Sequence, residues 1–136
     1  MKKKNLKYLV LTMFFVAPFF TSSAQLNMID EVSDAFQKGN ASAIAYYLND
    51  KVEFSIVGDK VGIYTKTQGA SILQSFFSGN PALSFNVSHK GIKESSSFVI
   101  GSFTSSNNKK FRVYLLIKKV DSRSLICQLR IDQTNE

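Results

Sequence analysis

The spacing of apolar residues along the chain changes at Pro81. Before this proline, apolar side chains recur every three or four positions over most of the chain, and after it they recur at every second position. The first spacing places side chains on one face of a helix, and the second places them on one face of a strand. The pattern therefore predicts one α+β domain in which helices come first and a sheet follows.

The first two predicted helices are neighbours in the sequence. The first carries an apolar stripe from Met28 to Phe36, has Asn27 as its candidate N-cap, and ends at Lys38-Gly39. The second is shorter, follows Asn40 and stops at Asn49-Asp50. Both are amphipathic, so each is expected to bury one face in the core.

A hairpin and a third helix complete the first half of the chain. Alternating apolar residues from Val52 to Tyr64, interrupted by Gly58-Asp59, predict two short strands joined by a turn. Thr65 and Gln68 have the spacing of a capping box, in which each side chain accepts a hydrogen bond from the other residue's backbone N–H. The third helix is therefore expected to begin after Thr65 and to end at Gly79-Asn80.

Four alternating segments follow, separated by short stretches of turn-forming residues. Their bounds are close to 83–90, 98–105, 110–120 and 124–132. Short connections favour antiparallel neighbours, so these segments predict a meander that joins the hairpin in a six-stranded, mostly antiparallel sheet. Gly101 lies in the middle of a strand and predicts a bend there.

The first 24 residues have the three regions of a secretory signal peptide. Lys2-Lys3-Lys4 is followed by an apolar run from Tyr8 to Phe20, and then by Ser22 and Ala24 at the positions that signal peptidase recognises. We predict cleavage after Ala24, which leaves residues 25–136 as one domain in the periplasm or outside the cell. A retained membrane anchor is the alternative, but the run is shorter than the roughly 20 residues that span a bilayer.

The formal charge of +7 is unevenly distributed. Four lysines belong to the predicted signal peptide, and the remaining chain carries +3. Within it, residues 25–81 carry −2 and residues 82–136 carry +5, so the sheet half is basic. This excess could attract an anionic surface, although lysines at strand ends also serve to prevent edge-to-edge aggregation. A charge of +3 in an exported domain argues against nucleic-acid binding.

His89 and Tyr64 are the candidate catalytic residues. By strand alternation His89 shares a face with Phe85 and Val87, so it is expected to point toward the apolar interior, with Tyr64 as a candidate hydroxyl partner. The alternative is a hydrogen-bonded structural histidine, because no carboxylate is placed to orient its ring.

The sequence offers few ligands for a metal or a cofactor, and none is expected. One histidine and one cysteine cannot supply the usual nitrogen and sulfur ligand sets. Cys127 alternates in register with Leu125, Leu129 and Ile131, which favours a small core side chain over a reactive thiol. Glu53 alternates with apolar neighbours in its strand, which favours a solvent-exposed carboxylate.

One face of the predicted sheet mixes apolar side chains with guanidinium groups. By strand alternation, the residues on this face are Arg112, Tyr114, Leu116, Ile126, Gln128 and Arg130. Such a mixture is more typical of an interface than of a solvated sheet. All of them except Ile126 form the candidate ligand or partner surface, whose expected use is dimerisation or the docking of a partner.

The order of elements resembles the nuclear transport factor 2-like cone, also called SnoaL-like. Several short segments look like an exported bacterial family of unknown function: Val52-Glu53-Phe54-Ser55-Ile56, the helix entry from Tyr64 to Phe77, Asn80-Pro81, His89-Lys90-Gly91, Phe111-Arg112-Val113 and Leu129-Arg130-Ile131-Asp132. The resemblance implies a curved sheet that wraps the first helix and leaves a pocket at its wide end. It implies no functional residue, because the cone hosts enzymes, ligand binders and interaction modules alike.

Two functions follow as expectations. The leading one is a non-enzymatic module of the bacterial envelope that binds a small apolar ligand in the cone, or pairs with a second copy or an envelope protein through the sheet. The alternative is a small SnoaL-like isomerase, cyclase or hydrolase that uses His89 in the cone pocket. Neither involves a cofactor, nucleic acid or, after signal cleavage, a transmembrane segment.

Overall fold

The structure is a computed structural model that describes residues 23–135. Its helices are α1 (Ser23–Lys38), α2 (Ala41–Ala45) and α3 (Lys66–Gly79). Its strands are β1 (Leu48–Ile56), β2 (Gly62–Thr65), β3 (Ala82–Ile92), β4 (Ser96–Ser105), β5 (Lys110–Val120) and β6 (Arg123–Thr134). The predicted signal peptide, except for its last two residues, lies outside the described residues, and no described helix has the length and apolar character needed to cross a bilayer.

The six strands form one sheet in the order β2-β1-β6-β5-β4-β3. Strands β3 to β6 are antiparallel neighbours in sequence order, which confirms the predicted meander. The β1–β2 hairpin joins this meander through a parallel pairing of β1 with β6. The α+β class and the mostly antiparallel sheet are therefore as predicted, with three helices packed on one side.

The bounds of the first two helices differ from those predicted. Helix α1 begins at Ser23, so Asn27 lies inside it and is not its N-cap. Helix α2 has its predicted cap, since the Asn40 side chain accepts a hydrogen bond from the backbone N–H of Ala43, but it ends at Ala45 rather than near Asn49. Leu48 already belongs to β1, because sheet pairing with β6 takes the chain out of the helix.

The start of α3 confirms the predicted capping box. The Gln68 backbone N–H donates to Thr65 Oγ1 at 3.2 Å, and the Thr65 backbone N–H donates to Gln68 Oε1 at 2.9 Å. The helix ends where expected, with the Asn80 backbone N–H donating to the carbonyl of Phe76 at 2.9 Å. Strand β3 starts two residues later, so the switch at Pro81 marks the boundary between α3 and the meander.

The core lies between the helices and the face of the sheet that they cover, called here the inner face. Six phenylalanine rings in the core contact one another, those of Phe36 from α1, Phe76 and Phe77 from α3, Phe85 from β3, Phe103 from β4 and Phe111 from β5. Phe36 stacks on Phe85 with ring centroids 4.9 Å apart, and the rings of Phe76 and Phe111 meet edge to face at 5.1 Å. Burial of these rings attaches α1 and α3 to three adjacent strands.

Gly101 provides space for one of these rings. It lies on the inner face of β4 opposite Val87, and a Cβ at this position would overlap the ring of Phe85. The residue is thus required by a close approach of a side chain, a reason that the bend predicted from the sequence did not include.

A bulge in β3 changes the face on which His89 lies. Val87 pairs with Gly101 and His89 pairs with the next residue of β4, Ile100, so Ser88 is an extra residue in β3. The side chains after the bulge therefore lie on the opposite face from the one that simple alternation gives. His89 is exposed on the outer face, away from the helices, and the prediction that it points into the interior is wrong.

A second bulge does the same in β6. Gln128 pairs with Leu116 and Ile126 pairs with Ile117, which leaves Cys127 as the extra residue. Ile126 is fully buried in the core, so its predicted place on the outer face is wrong. Cys127 is half-buried and outside the core cluster, so its predicted core position is wrong as well.

Replacing Gly101 by alanine is expected to lower the free energy of unfolding by about 1–3 kcal/mol, because the new methyl group displaces the Phe85 ring. Gly79→Ala is the matched control, since a Cβ there meets nothing within 4 Å. Urea denaturation followed by circular dichroism measures both. Equal stability of Gly101→Ala and the unchanged protein would contradict the close approach of Phe85.

The exposure of His89 predicts fast chemical modification. Because His89 is the only histidine in the sequence, its reaction with diethyl pyrocarbonate can be followed by the ultraviolet absorbance of carbethoxyhistidine. We expect the folded protein to react at a rate comparable to that of the urea-unfolded chain. His89→Gln supplies the blank, and protection of His89 until the protein unfolds would show that the side chain is buried.

Candidate functional site

The structure separates the two candidate catalytic residues. Tyr64 lies on β2 and His89 lies on β3, and these strands are the two opposite edges of the sheet. Tyr64 is half-buried and packs edge to face on Phe54 with ring centroids 6.0 Å apart. The ring of His89 contacts the hydroxyl of Ser88 at 3.3 Å. One molecule therefore does not bring His89 and Tyr64 into a common site.

Phenylalanine rings occupy the space between the helices and the sheet. Phe103 is fully buried, and its ring centroid lies 5.6 to 6.0 Å from those of Phe77, Phe76 and Phe111. These spacings are those of rings in direct contact. The space between α1, α3 and strands β3 to β5 is thus occupied by the protein's own phenylalanine side chains.

The outer face carries the candidate partner surface. Pairing of the strands aligns outer-face residues in rows that cross the sheet. The central row is Ser55, Arg130, Tyr114, Ile100 and His89, the row on one side is Glu53, Gln128, Leu116, Phe98 and Gly91, and the row on the other is Asp132, Arg112, Ser102 and Asn86. The structure thereby brings together all five residues of the candidate surface and adds His89 at the edge of the same face.

Four of these five residues line a shallow depression of about 300 Å³, together with one carboxylate. We call it the Arg112 basin, and its residues are Arg112, Tyr114, Gln128, Arg130 and Asp132. Arg112 faces Asp132 across β5 and β6, and Tyr114 faces Arg130 in the next pair along the strands. The basin is held by backbone pairing in the middle of the sheet, so its side chains project from fixed positions.

The two guanidinium groups of the basin differ in their partners. Arg130 Nε donates to Asp132 Oδ2 at 2.8 Å, and both side chains are partly exposed. Arg112 makes no hydrogen bond or ion pair with any residue between 23 and 135. The carboxylate of Asp132 therefore neutralises one of the two guanidinium groups, and the basin retains one positive charge, on Arg112.

Apolar side chains border the basin. Leu116 is half-buried beside Gln128, and Ile100 is half-buried beside Tyr114. Phe98 is 36% exposed and lies over Gly91, where a Cβ would overlap its ring. Arginine, tyrosine and phenylalanine, which all occur here, are residue types enriched at protein interfaces.

Other depressions lie away from this face. One of about 440 Å³ lies between the β1–β2 turn and α3 and includes Val57, Lys60 and Ile72. An adjoining one of about 320 Å³ shares Lys60 and Ile72 and adds Tyr64. Both are open to solvent. The carboxylate of Asp59 lines the larger depression, and no carboxylate among residues 23–135 lines the smaller one.

Within residues 23–135, no three histidine, cysteine or carboxylate side chains lie close enough to hold a metal ion. The thiol of Cys127 donates to the carbonyl oxygen of Leu125 at 3.8 Å. Glu53 is exposed on the outer face, as its alternation predicts.

Sequence reasoning missed Asp132 as a member of the site. It lies at the end of a predicted strand, two positions after Arg130, and alternation therefore places it on the same face as Arg130. That spacing was the available signal. The pairing of Asp132 with Arg112 across the sheet depends on the register of β5 and β6, which alternation alone does not determine.

Solved structures of low sequence identity share the fold. A nuclear transport factor 2-like protein of unknown function from Shewanella baltica is 8% identical, with a TM-score of 0.63 over 84% of this chain and 94% of its own. An identity this low supports the fold and carries no functional residue. None of the curated proteins compared with this chain matches it.

Two crystal structures are closer in sequence. A DUF4783 family protein from Bacteroides ovatus is 38% identical, with a TM-score of 0.73 over 78% of this chain and 94% of its own. Another from Bacteroides uniformis is 37% identical, with a TM-score of 0.75 over 79% of this chain and 97% of its own. The family model for DUF4783, a domain of unknown function, matches residues 29–132. The chain therefore belongs to the DUF4783 family, whose fold is nuclear transport factor 2-like.

Proposed function

We propose that this protein is a non-enzymatic binding module of the bacterial envelope and that it docks a protein partner on the outer face of its sheet. The observation that carries the proposal is the Arg112 basin, where an unpaired guanidinium adjoins Tyr114 and a border of apolar side chains. Arginine and tyrosine are the residue types that contribute most to binding at protein interfaces. The packing of phenylalanine rings between the helices and the sheet also supports docking on the outer face, because the outer face is more accessible to a partner than the packed interior.

Export is part of this proposal and rests on the sequence of residues 1–24. A basic start, a short apolar run and small residues before Gln25 are the features that direct a chain to the secretory machinery. A domain with one cysteine has no disulfide to form and suits an oxidising compartment.

The surroundings of His89 do not favour the alternative of a cone-pocket enzyme. A histidine base needs a substrate site beside it and a group that fixes its ring. His89 is exposed at the edge strand, and its ring forms a hydrogen bond with the hydroxyl of the adjacent Ser88. We therefore do not assign it a catalytic role.

The charge of the outer face favours a different protein over a second copy as the partner. Lys110 and Lys118 lie near the two ends of β5 on the same face as Arg112 by strand alternation, and Lys51 lies two residues before Glu53 on β1. Two such faces pressed together would place cations against cations, which is unfavourable at an interface. A partner with an acidic surface has the complementary charge.

A photo-crosslinking amino acid at Ser102 is expected to capture this partner in the native host. Ser102 is exposed and is the β4 neighbour of Arg112, so a benzophenone placed there lies beside the basin. We expect one discrete adduct with another protein, seen by blotting and identified by mass spectrometry. The same label at Gln37, exposed on α1, is the control and should not give this adduct.

A second variant makes the capture specific to the outer face. Tyr114→Ala should reduce the adduct from position 102 by about tenfold, as expected for an interface hot spot. Tyr46→Ala, which removes an exposed tyrosine on the helix side, should leave the yield unchanged. An adduct with a second copy of this chain alone, or an adduct that survives Tyr114→Ala, would overturn the proposal.

A further inference from the structure

We infer that the Arg112 basin recognises a carboxylate, supplied by an aspartate or glutamate side chain of the protein partner. This inference rests on the proposed function, since it names the chemical group that the docking surface holds. It depends on three properties of the basin and its border. These are the unpaired guanidinium of Arg112, the net charge of the basin, and the aromatic and aliphatic side chains that follow Arg112 along β5.

The unpaired guanidinium supplies the donors. Arg112 has five N–H donors in a planar fork, and none of them is used by a residue between 23 and 135. A carboxylate matches this fork because its two oxygens accept two parallel hydrogen bonds. Arg130 is less available, since its Nε already donates to Asp132 Oδ2.

The net charge selects a carboxylate over a phosphate. After the pairing of Arg130 with Asp132, the basin has one positive charge left, which a single carboxylate balances. A phosphate group carries a charge of about −1.5 to −2 at neutral pH. It would leave an excess negative charge next to the carboxylate of Asp132, and neighbouring like charges repel each other.

The position of Arg112 also favours a group carried by a peptide chain. Tyr114 follows it by two residues on the same strand face, and Leu116 follows Tyr114 in the same way. The three side chains therefore form a line along β5, from a cation to an aromatic ring to an aliphatic group. A partner segment with an acidic residue next to apolar ones complements this line.

The probes are two peptides blocked at both ends, acetyl-Leu-Glu-Leu-amide and its glutamine analogue, with inorganic phosphate as the third ligand. Titrations followed by nitrogen-15 NMR report the backbone amides of β5 and β6 and the Nε–H groups of the arginines. We expect the glutamate peptide to shift the Nε–H of Arg112 and the amides near Tyr114. The glutamine peptide should bind at least about tenfold more weakly, because it lacks the charge that strengthens the hydrogen bonds.

Three variants test the assignment. Arg112→Gln should weaken binding of the glutamate peptide by about tenfold or more. Arg123→Gln removes the same charge from the first residue of β6, distant from the basin, and should leave the affinity within about twofold. Asp132→Asn releases Arg130 and should tighten binding by about two- to fivefold, a gain that misfolding cannot produce.

Each remaining outcome overturns the inference in a distinct way. Equal binding of the two peptides would show that the charge of the ligand is not recognised. Tighter binding of phosphate than of the glutamate peptide would assign the basin to a phosphorylated ligand. Absence of shifts at Arg112 with all three probes would remove the basin as an anion site, while a Tyr114-dependent adduct from position 102 would still support docking on the outer face.

Discussion

The packing of phenylalanine rings between the helices and the sheet is the interaction on which this fold depends. Phe103, at the centre of β4, contacts rings from α3 and β5, while Phe36 of α1 stacks on Phe85 of β3. Helices α1 and α3 have no covalent staple to the sheet, since the chain has a single cysteine. Burial of the aromatic surface therefore supplies much of the free energy that holds the two layers together.

This packing also determines where function can reside. A nuclear transport factor 2-like fold can leave room between its helices and its sheet, but a site there needs small side chains or a gap in the core. Phe76 and Phe77 project from α3 into that space, and Gly101 lacks a side chain so that Phe85 can enter it as well. The guanidinium of Arg112, which has no partner among residues 23–135, lies on the opposite face of the sheet beside Tyr114.

Features encoded by local sequence could be predicted, and features encoded by strand register could not. The capping box of Thr65 and Gln68, the end of α3 before Pro81 and the four-stranded meander all depend on neighbouring residues or on short connections. The orientation of His89 depends on the extra residue Ser88 in β3, for which the sequence has no glycine or other local marker. Long-range pairing decides whether a strand carries an additional residue, and one additional residue reverses every later side chain.

The same reversal explains how β6 serves both the core and the outer face. Strict alternation would place Ile126 on one face with Gln128 and Arg130, so either an isoleucine would be exposed or an arginine would be buried. The extra residue Cys127 separates the two parts of the strand. Ile126 then fills the core, where it is fully buried, and Gln128 and Arg130 point outward into the Arg112 basin. One irregularity in the pairing of β5 with β6 thus allows Ile126 to be buried in the core while Gln128 and Arg130 line the basin.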